Sequence, residues 1–324
     1  MHLSDLIPGP TMAHPRAAEI AALEITGLGS DSRQAGKGFL FAAFAGSHAD
    51  GRDFAAAAVE SGAAAILTDG RPLDTALEAI AASGVPVLTC PSPRHELALA
   101  AARFWRRQPG MIAAVTGTNG KTSTVDFIRQ IWRRATWDAA SIGTLGLQGP
   151  DPRTMQGRML GLPSLTTPDA VSLHAALQPI CNAGITHLAL EASSHGLAQH
   201  RLDGLKIHVA GFTNLSRDHL DHHADMEAYF TAKARLFTEL LMPGGSAVIN
   251  IDDPYGARLD EMMRNLAPQD RVILTVGSHK SANFRISSVI AMDFGLDVTV
   301  EHDGKSMCIP MALAGTFQAV NAVT

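Results

Sequence analysis

Residues 111–125 read MIAAVTGTNGKTSTV. A short apolar run enters a glycine-containing loop, and a Lys-Thr pair then opens a segment with helical spacing. The apolar run predicts a buried strand, and Thr122 to Arg134 predict a helix. A strand that feeds a helix through a tight turn belongs to a mostly parallel α/β sheet. The loop departs from the general phosphate-loop pattern G-x-x-x-x-G-K-[ST]. Counting back from Gly120, the first glycine should stand at 115, where the chain has Val115; it stands at Gly117 instead. The strand–loop–helix context still suits phosphate. Backbone N–H groups of residues 117–122 and the helix N-terminus can face phosphate oxygens. Lys121 can reach the β- and γ-phosphates of a nucleotide, and the Thr122 hydroxyl can bind Mg²⁺. The plainer reading is a βα turn with Lys121 in solvent. Taken alone, the loop supports a nucleotide binder and nothing finer.

The alternation continues on both sides. In the first third, GFLFAAFAG (38–46), AAAILT and VPVLTC read as strands. DFAAAAVESG (53–62) and PRHELALAAARFWRRQ (93–108) read as helices, the first closed by Gly62. The Pro-Gly pair at 109–110 breaks the pattern and marks a domain boundary, giving domains 1–109 and 110–324. Beyond it, ASIGTLGL, ITHLALEASS, IHVAGFTNLS and GSAVINID read as strands. DAVSLHAALQPICNAG and MEAYFTAKARLFTELL read as helices. From about residue 284 the pattern changes to antiparallel hairpins, with a turn at HDGK. GTFQAVNAVT reads as the opening of a helix.

The charge balance narrows the partners. Lys and Arg number 26 and Asp and Glu 31, a net charge of −5, so no nucleic acid or anionic membrane is called for. Cys90, Cys181 and Cys308 are far apart and odd in number, which fits a reducing cytosol and no disulfide framework. The first fifteen residues lack a basic n-region and a continuous apolar run, so no signal peptide is expected. No apolar run is long enough to cross a bilayer. A cytoplasmic monomer is the expectation.

The wording TGTNGKT resembles the Mur ligases, ATP-dependent amide-forming enzymes of peptidoglycan synthesis that carry this shorter loop. SDSRQAGKGFLFAAFAGSHADGRDF (30–54) is similar to the UDP-binding segment of the MurE type. LTTPDA (165–170), LEASSHGLAQHRLDG (190–204), FTNLSRDHLDHHADMEAYFTAKARLF (212–237) and VINIDD (248–253) resemble its substrate, metal and adenine-side segments. The chain departs at Leu165, where an Asn often precedes TT, and at Gln318, where FN is usual. The resemblance implies a small UDP-binding α/β domain and a P-loop ATPase domain with an antiparallel extension. It also implies a third, acceptor-binding domain that these residues do not include, so the fragment alone is expected to ligate poorly or not at all. The implied reaction is amide formation on UDP-MurNAc-L-Ala-D-Glu through an acyl phosphate. The acceptor is a free amino acid, meso-diaminopimelate ahead of L-lysine. The alternatives are another ligase of the superfamily and a nucleotide-dependent binding protein without ligase activity.

The resemblance also assigns residues. ATP falls to Gly117, Thr118, Asn119, Gly120, Lys121, Thr122 and Ser123, with Asn250 and Asp253 beside adenine or ribose. Mg²⁺ falls to Thr122, Glu191, His219 and Lys233, the last as a CO₂-derived carbamate. Lys121, Glu191, His219 and Lys233 are the catalytic set. Ser30, Ser32, Ser47, His48 and Ala49 map onto the UDP part of the substrate. Thr166, Thr167, Ser193, Gln199 and Arg201 map onto the dipeptide. Plain readings stand beside these. Glu191 is also a strand-end carboxylate, Thr166 and Thr167 an N-cap region, and Lys233 a snorkelling lysine. RDHLDHH (217–223) invites zinc, but no cysteine partner accompanies it and a polar loop explains most of these residues.

Overall fold

The structure, a computed structural model, describes residues 1–46, 49–149, 165–217, 223–266 and 270–324. It divides into two compact units. The first comprises Met1–Arg106, Asp169–Ala175 and Gln199–Gly204; the second comprises Arg107–Pro168, Ala176–Ala198 and Leu205–Thr324.

The first unit holds a parallel four-stranded sheet in the order β1 (Gly27–Gly29), β2 (Phe39–Ala43), β3 (Ala65–Asp69), β4 (Val87–Cys90). Its strands are apolar at successive positions because both faces are covered. Side chains alternate across a strand. Leu40, Ala42, Leu67 and Leu88 join one core with Leu3, Leu6 and Leu97. Phe41, Ala43, Ile66 and Val87 join another with Ala55, Ala58 and Leu77. The Pro93–Phe104 helix is shorter than its sequence suggested. Trp105 leaves the helical region at φ −100° and ψ 83°, four residues before Pro109. A buried Arg52 guanidinium ties the 50s loop to β3. It donates to Asp69 Oδ1 at 2.6 Å, Thr68 Oγ1 at 3.1 Å and Pro72 O at 2.8 Å.

The second unit is built on a ten-stranded sheet in the order β14-β13-β12-β11-β10-β9-β5-β8-β6-β7. The strands are β5 (Met111–Thr116), β6 (Ala139–Gly143), β7 (Gly146–Gln148), β8 (His187–Glu191), β9 (Ile207–Phe212), β10 (Leu241–Asn250), β11 (Val272–Gly277), β12 (Phe284–Met292), β13 (Gly295–His302) and β14 (Lys305–Met311). From β6 to β12 neighbours run parallel; β7, β13 and β14 are antiparallel additions. This is the expected α/β class with its antiparallel extension. The extension closes over Val276, Ile286, Val298 and Ala319, which brings in the Phe317–Val323 helix.

Two further elements differ from the sequence reading. ASIGTLGL is a hairpin rather than one strand: Gly146 adopts φ +72°, and β7 folds back on β6. The helix beginning at Met226 ends at Arg235. A π-helical turn, Leu236–Leu240, follows, and Leu241 opens β10.

Candidate active site

The strand order sets the site. β5 lies between β8 and β9, and the chain leaves β5 for β6 before returning to both neighbours. Such a reversal opens a crevice at the carboxyl ends of the strands. The register brings those ends level: Val115 pairs with Glu191 and Gly211, Thr116 with Phe212, Ile142 with Leu190, and Ile249 with Phe212. Residues 117–120, Gly143–Thr144, Glu191, Thr213–Asn214 and Asn250 therefore lie at the same edge.

The phosphate loop is fixed from both sides. Thr213 donates its hydroxyl to Asn119 O at 2.6 Å. Asn214 accepts the Asn119 N–H at 3.0 Å and the Thr118 N–H on its own carbonyl at 2.8 Å. Thr118 Oγ1 accepts the Ser216 N–H at 3.0 Å and lies 3.2 Å from the Tyr229 hydroxyl. Gly120 holds the left-handed φ of +87° that an N-cap with a side chain would resist, and the Lys121–Arg134 helix starts from it. Thr122 and Ser123 occupy its first turn, half-buried.

Two lysines converge on one carbonyl. Lys121 Nζ donates to Gly117 O and Thr118 O, each at 2.8 Å. Lys233 Nζ donates to the same Gly117 O at 2.8 Å. The two ammonium groups are thus no more than twice that distance apart. Neither plain reading holds: Lys121 is folded onto its own loop, and Lys233 is 1% exposed, with Nζ 4.5 Å from the centre of the Tyr229 ring. Two cations so close together repel each other, an arrangement relieved by a polyvalent anion beside them or by loss of one of the charges.

Glu191 is 3% exposed at the end of β8. Thr144 donates its N–H to Oε1 at 2.8 Å and its hydroxyl to Oε2 at 3.2 Å. With that proton used, the Thr144 oxygen accepts the Thr166 hydroxyl at 3.1 Å. Thr167 is buried; its hydroxyl donates to Glu191 O at 2.8 Å and accepts the Ser193 N–H at 2.9 Å. The helix that follows is capped by Asp169, which accepts the Ser172 N–H at 3.0 Å, so the N-cap reading of the threonines is corrected. Ser193 Oγ accepts the Gly196 N–H at 3.0 Å. Thr144 was missed because its segment read as one continuous strand. An oxygen set of the Thr122 hydroxyl and the Glu191 carboxylate fits a hard cation such as Mg²⁺.

A cavity of about 580 Å³ adjoins the loop, lined by Asn119, Gly120, Ser123, Asn214, Asn250, Phe317, Val320 and Asn321. Asn250 Nδ2 donates to Thr213 O at 2.7 Å. Thr124 Oγ1 donates to Asn321 O at 3.0 Å, so the C-terminal helix is fastened to the loop helix. Gln318 Nε2 lies 3.4 Å from Ser123 Oγ and its Oε1 accepts from Asn321 at 2.9 Å. Apolar Phe317 and Val320 opposite several amides match a flat base with a polar edge. Asp253 does not line this cavity. It caps the Pro254–Leu266 helix, accepting the Tyr255 N–H at 2.9 Å, and holds the Leu215 N–H at 2.9 Å.

In the first unit, Ser30 and Ala49 are exposed and Ser32 half-buried in a short 3₁₀ turn capped by Asp31. Gln199 Oε1 accepts from Arg201 Nη2 at 2.8 Å. Burial lowers the Arg201 guanidinium pKa, with Asp169 opposing. Ser47, His48 and His219 lie outside the described residues.

Residues 115–324 match the family described as "Mur ligase middle domain", and residues 24–105 match "Mur ligase family, catalytic domain". The chain is 45% identical over its whole length to the UDP-N-acetylmuramoyl-L-alanyl-D-glutamate--2,6-diaminopimelate ligase of Bradyrhizobium diazoefficiens, spanning 63% of it. It is 46% identical to the Brucella melitensis enzyme of the same name over 94% of this chain and 59% of that one. A solved structure of a ligase so named is similar at TM-score 0.77 and 31% identity, over 92% of this chain and 58% of that one. MurF from Acinetobacter baumannii shares the fold at TM-score 0.62 and 18% identity, over 99% of this chain and 62% of that one. The chain spans about three fifths of the length of these relatives. No helix among the described residues is long and apolar enough to cross a membrane.

Proposed function

The chain belongs to the Mur ligase family, and from that membership we propose that it works within an ATP-dependent ligase joining meso-diaminopimelate to UDP-MurNAc-L-Ala-D-Glu. The observation that supports this best is the convergence of Lys121 and Lys233 on Gly117 O, one strand away from a buried Glu191. The family relatives named above supply the substrate and the acceptor.

The D-glutamate side-chain carboxylate attacks the γ-phosphorus of ATP, and the bond to the β-phosphate oxygen breaks. ADP leaves and an acyl phosphate forms. The amine of the incoming amino acid attacks that carbonyl, inorganic phosphate departs, and the amine proton passes to solvent or a nearby base. The protein supplies position and charge. Lys121 turns from its loop carbonyls to the β- and γ-phosphates, and residues 117–123 give their N–H groups. The base enters the cavity lined by Asn250, Phe317 and Asn321. Thr122, Glu191, His219 and a Lys233 carbamate would hold Mg²⁺, which supplies charge neutralisation on the phosphates. Ser30, Ser32, Ser47, His48 and Ala49 take the UDP part within residues 1–109. Thr166, Thr167, Ser193, Gln199 and Arg201 take the dipeptide, and residues 110–324 carry ATP. The protein works in the cytoplasm as a monomer without nucleic acid.

The carbamate has a physical case. Burial disfavours the ammonium form of Lys233, and a neutral amine is what CO₂ needs. Adding CO₂ with loss of one proton turns a +1 group into a −1 group and removes one of two crowded cations.

The test uses the chain with ATP, Mg²⁺, UDP-MurNAc-L-Ala-D-Glu and hydroxylamine. ADP release and a hydroxamate on the glutamate side chain, both dependent on the dipeptide substrate, are expected. ATP binding without any hydroxamate or substrate-dependent ADP would overturn the ligase reading.

A further inference from the structure

Outside the nucleotide crevice, one group of metal-ligating side chains among the described residues stands together in the first unit. His95 Nδ1 lies 2.5 Å from Asp203 Oδ2, and His200 Nδ1 lies 2.8 Å from the same oxygen. The three donor atoms all fall within 4.8 Å of one another. No sequence pattern announces them, because His95 is more than a hundred residues from the other two.

The scaffold around them is fixed by contacts that do not involve the donor atoms. His95 belongs to the first turn of the Pro93–Phe104 helix. The turn carrying His200 and Asp203 ends at Gly204, which has φ +83° and packs against Ala102 of that same helix. Behind the turn, the buried His174 donates Nε2–H to Asp203 O at 2.9 Å. His200 holds a left-handed φ of +58°, a conformation that non-glycine residues adopt at a steric cost. That backbone aims its ring at Asp203.

The exposures differ across the cluster. The Asp203 side chain is 1% exposed, while those of His95 and His200 are 40% and 28% exposed. A buried carboxylate is thus faced by two imidazole nitrogens whose rings open to solvent. We propose that His95, His200 and Asp203 bind a divalent transition ion of the zinc type.

Two imidazole nitrogens and one carboxylate oxygen are the mixed donor set that zinc takes with a fourth position left to water. Mg²⁺ and Ca²⁺ prefer oxygen alone, so this is a different ion from the one proposed beside ATP. Binding needs the Nδ1 lone pair of each ring, so the proton each shares with Asp203 leaves Nδ1. The Nδ1 lone pairs and Asp203 Oδ2 then turn to the ion. Ligand bonds of roughly 2.0–2.2 Å in a tetrahedral shell set donors roughly 3.3 Å apart. The two hydrogen-bond contacts must therefore open by several tenths of an ångström, a change that side-chain rotation supplies.

The experiment takes the 324-residue chain without a histidine tag, washed with chelator and free of nucleotide, and titrates it with Zn²⁺, using Co²⁺ for its absorption spectrum. One equivalent of Zn²⁺ per chain is expected, with a four-coordinate Co²⁺ band and a zinc-dependent rise in melting temperature. His95→Ala and His200→Ala should each weaken zinc binding at least about a hundredfold. His95→Gln, which keeps a hydrogen bond to Asp203, gives the same reading if the alanine variant is poorly folded. Absence of stoichiometric zinc in the wild-type chain, or wild-type affinity in His95→Gln, overturns the proposal. So does anomalous scattering that places the ion on other residues.

Discussion

Replacing Gly143 with alanine should move the Glu191 carboxylate without altering Glu191. A Cβ at position 143 would stand 2.5 Å from Glu191 Cδ and 2.6 Å from Cγ, and would overlap Oε1. Gly143 is not among the glycines with positive φ, so alanine meets no backbone strain there. Glu191 is 3% exposed and cannot swing into solvent to make room. Two costs follow. Forcing a methyl group into a filled space costs about 1–3 kcal/mol. Losing the 2.8 Å bond from the Thr144 N–H to a charged carboxylate costs about 1.5–3 kcal/mol. The sum is about 2.5–6 kcal/mol. At about 2–4 °C per kcal/mol for a unit of this size, the melting temperature should fall roughly 5–24 °C. Calorimetric titration should also show the Mg²⁺ dependence of ATP binding lost, as in Glu191→Gln, while Mg²⁺-free binding persists. A Gly143→Ala protein that melts like wild type and keeps its Mg²⁺ response would refute both the packing argument and the metal role given to Glu191.

Lys121→Ala should weaken ATP binding at least about a hundredfold, since a lost phosphate contact costs roughly 3 kcal/mol. Its melting temperature should move little, because the bonds from Nζ to Gly117 O and Thr118 O lie within its own loop; unchanged ATP affinity by calorimetry would remove the assignment. Lys233→Ala empties a buried space and should cost about 2–5 kcal/mol. Under ¹³CO₂, wild type should show a carbamate carbon resonance that the variant lacks, and a wild-type spectrum without it rules the carbamate out. His174 is buried, and desolvation holds its pKa below the ordinary 6.5. Its folded pKa is depressed, so the unfolded chain takes up the proton first. Stability is then full above about pH 6.5 and declines as pH falls below it. Melting curves between pH 7.5 and 5.5 should show that decline, and His174→Gln should flatten it; an equal slope in the variant would mean that other groups carry it.

The legible part of the site was the part contained in one short stretch. Strand, glycine, Lys121 and Thr122 follow one another, so local spacing exposed the loop. The two sheets were legible because apolar runs, unlike register, need no partner to be seen. What sequence could not show depends on distant packing. Thr144 holds Glu191 only because Gly146 turns the chain back on itself. Asn321 reaches the loop from near the far end of the chain through the extension core. Asp253 reads in the sequence as a neighbour of adenine or ribose, and the fold adds a helix cap, a role that a side-chain oxygen can fill anywhere a helix begins. Lys233 looked like any helical lysine until the fold buried it.

The first unit is assembled from three separate stretches, the last of them ending at Gly204. Its core is therefore unfinished when Arg106 is made: Val171, which packs on that core, and His174 and Asp203 come later. At about 5–20 residues per second, a ribosome needs about 5–20 s to cover the interval from Arg106 to Gly204. During that wait the four-stranded sheet is complete in sequence but lacks its closing pieces, while the phosphate loop and the start of the second sheet are already emerging. Order of synthesis and order of completion are thereby uncoupled, and the early half of the nascent chain depends on the later half for its finish.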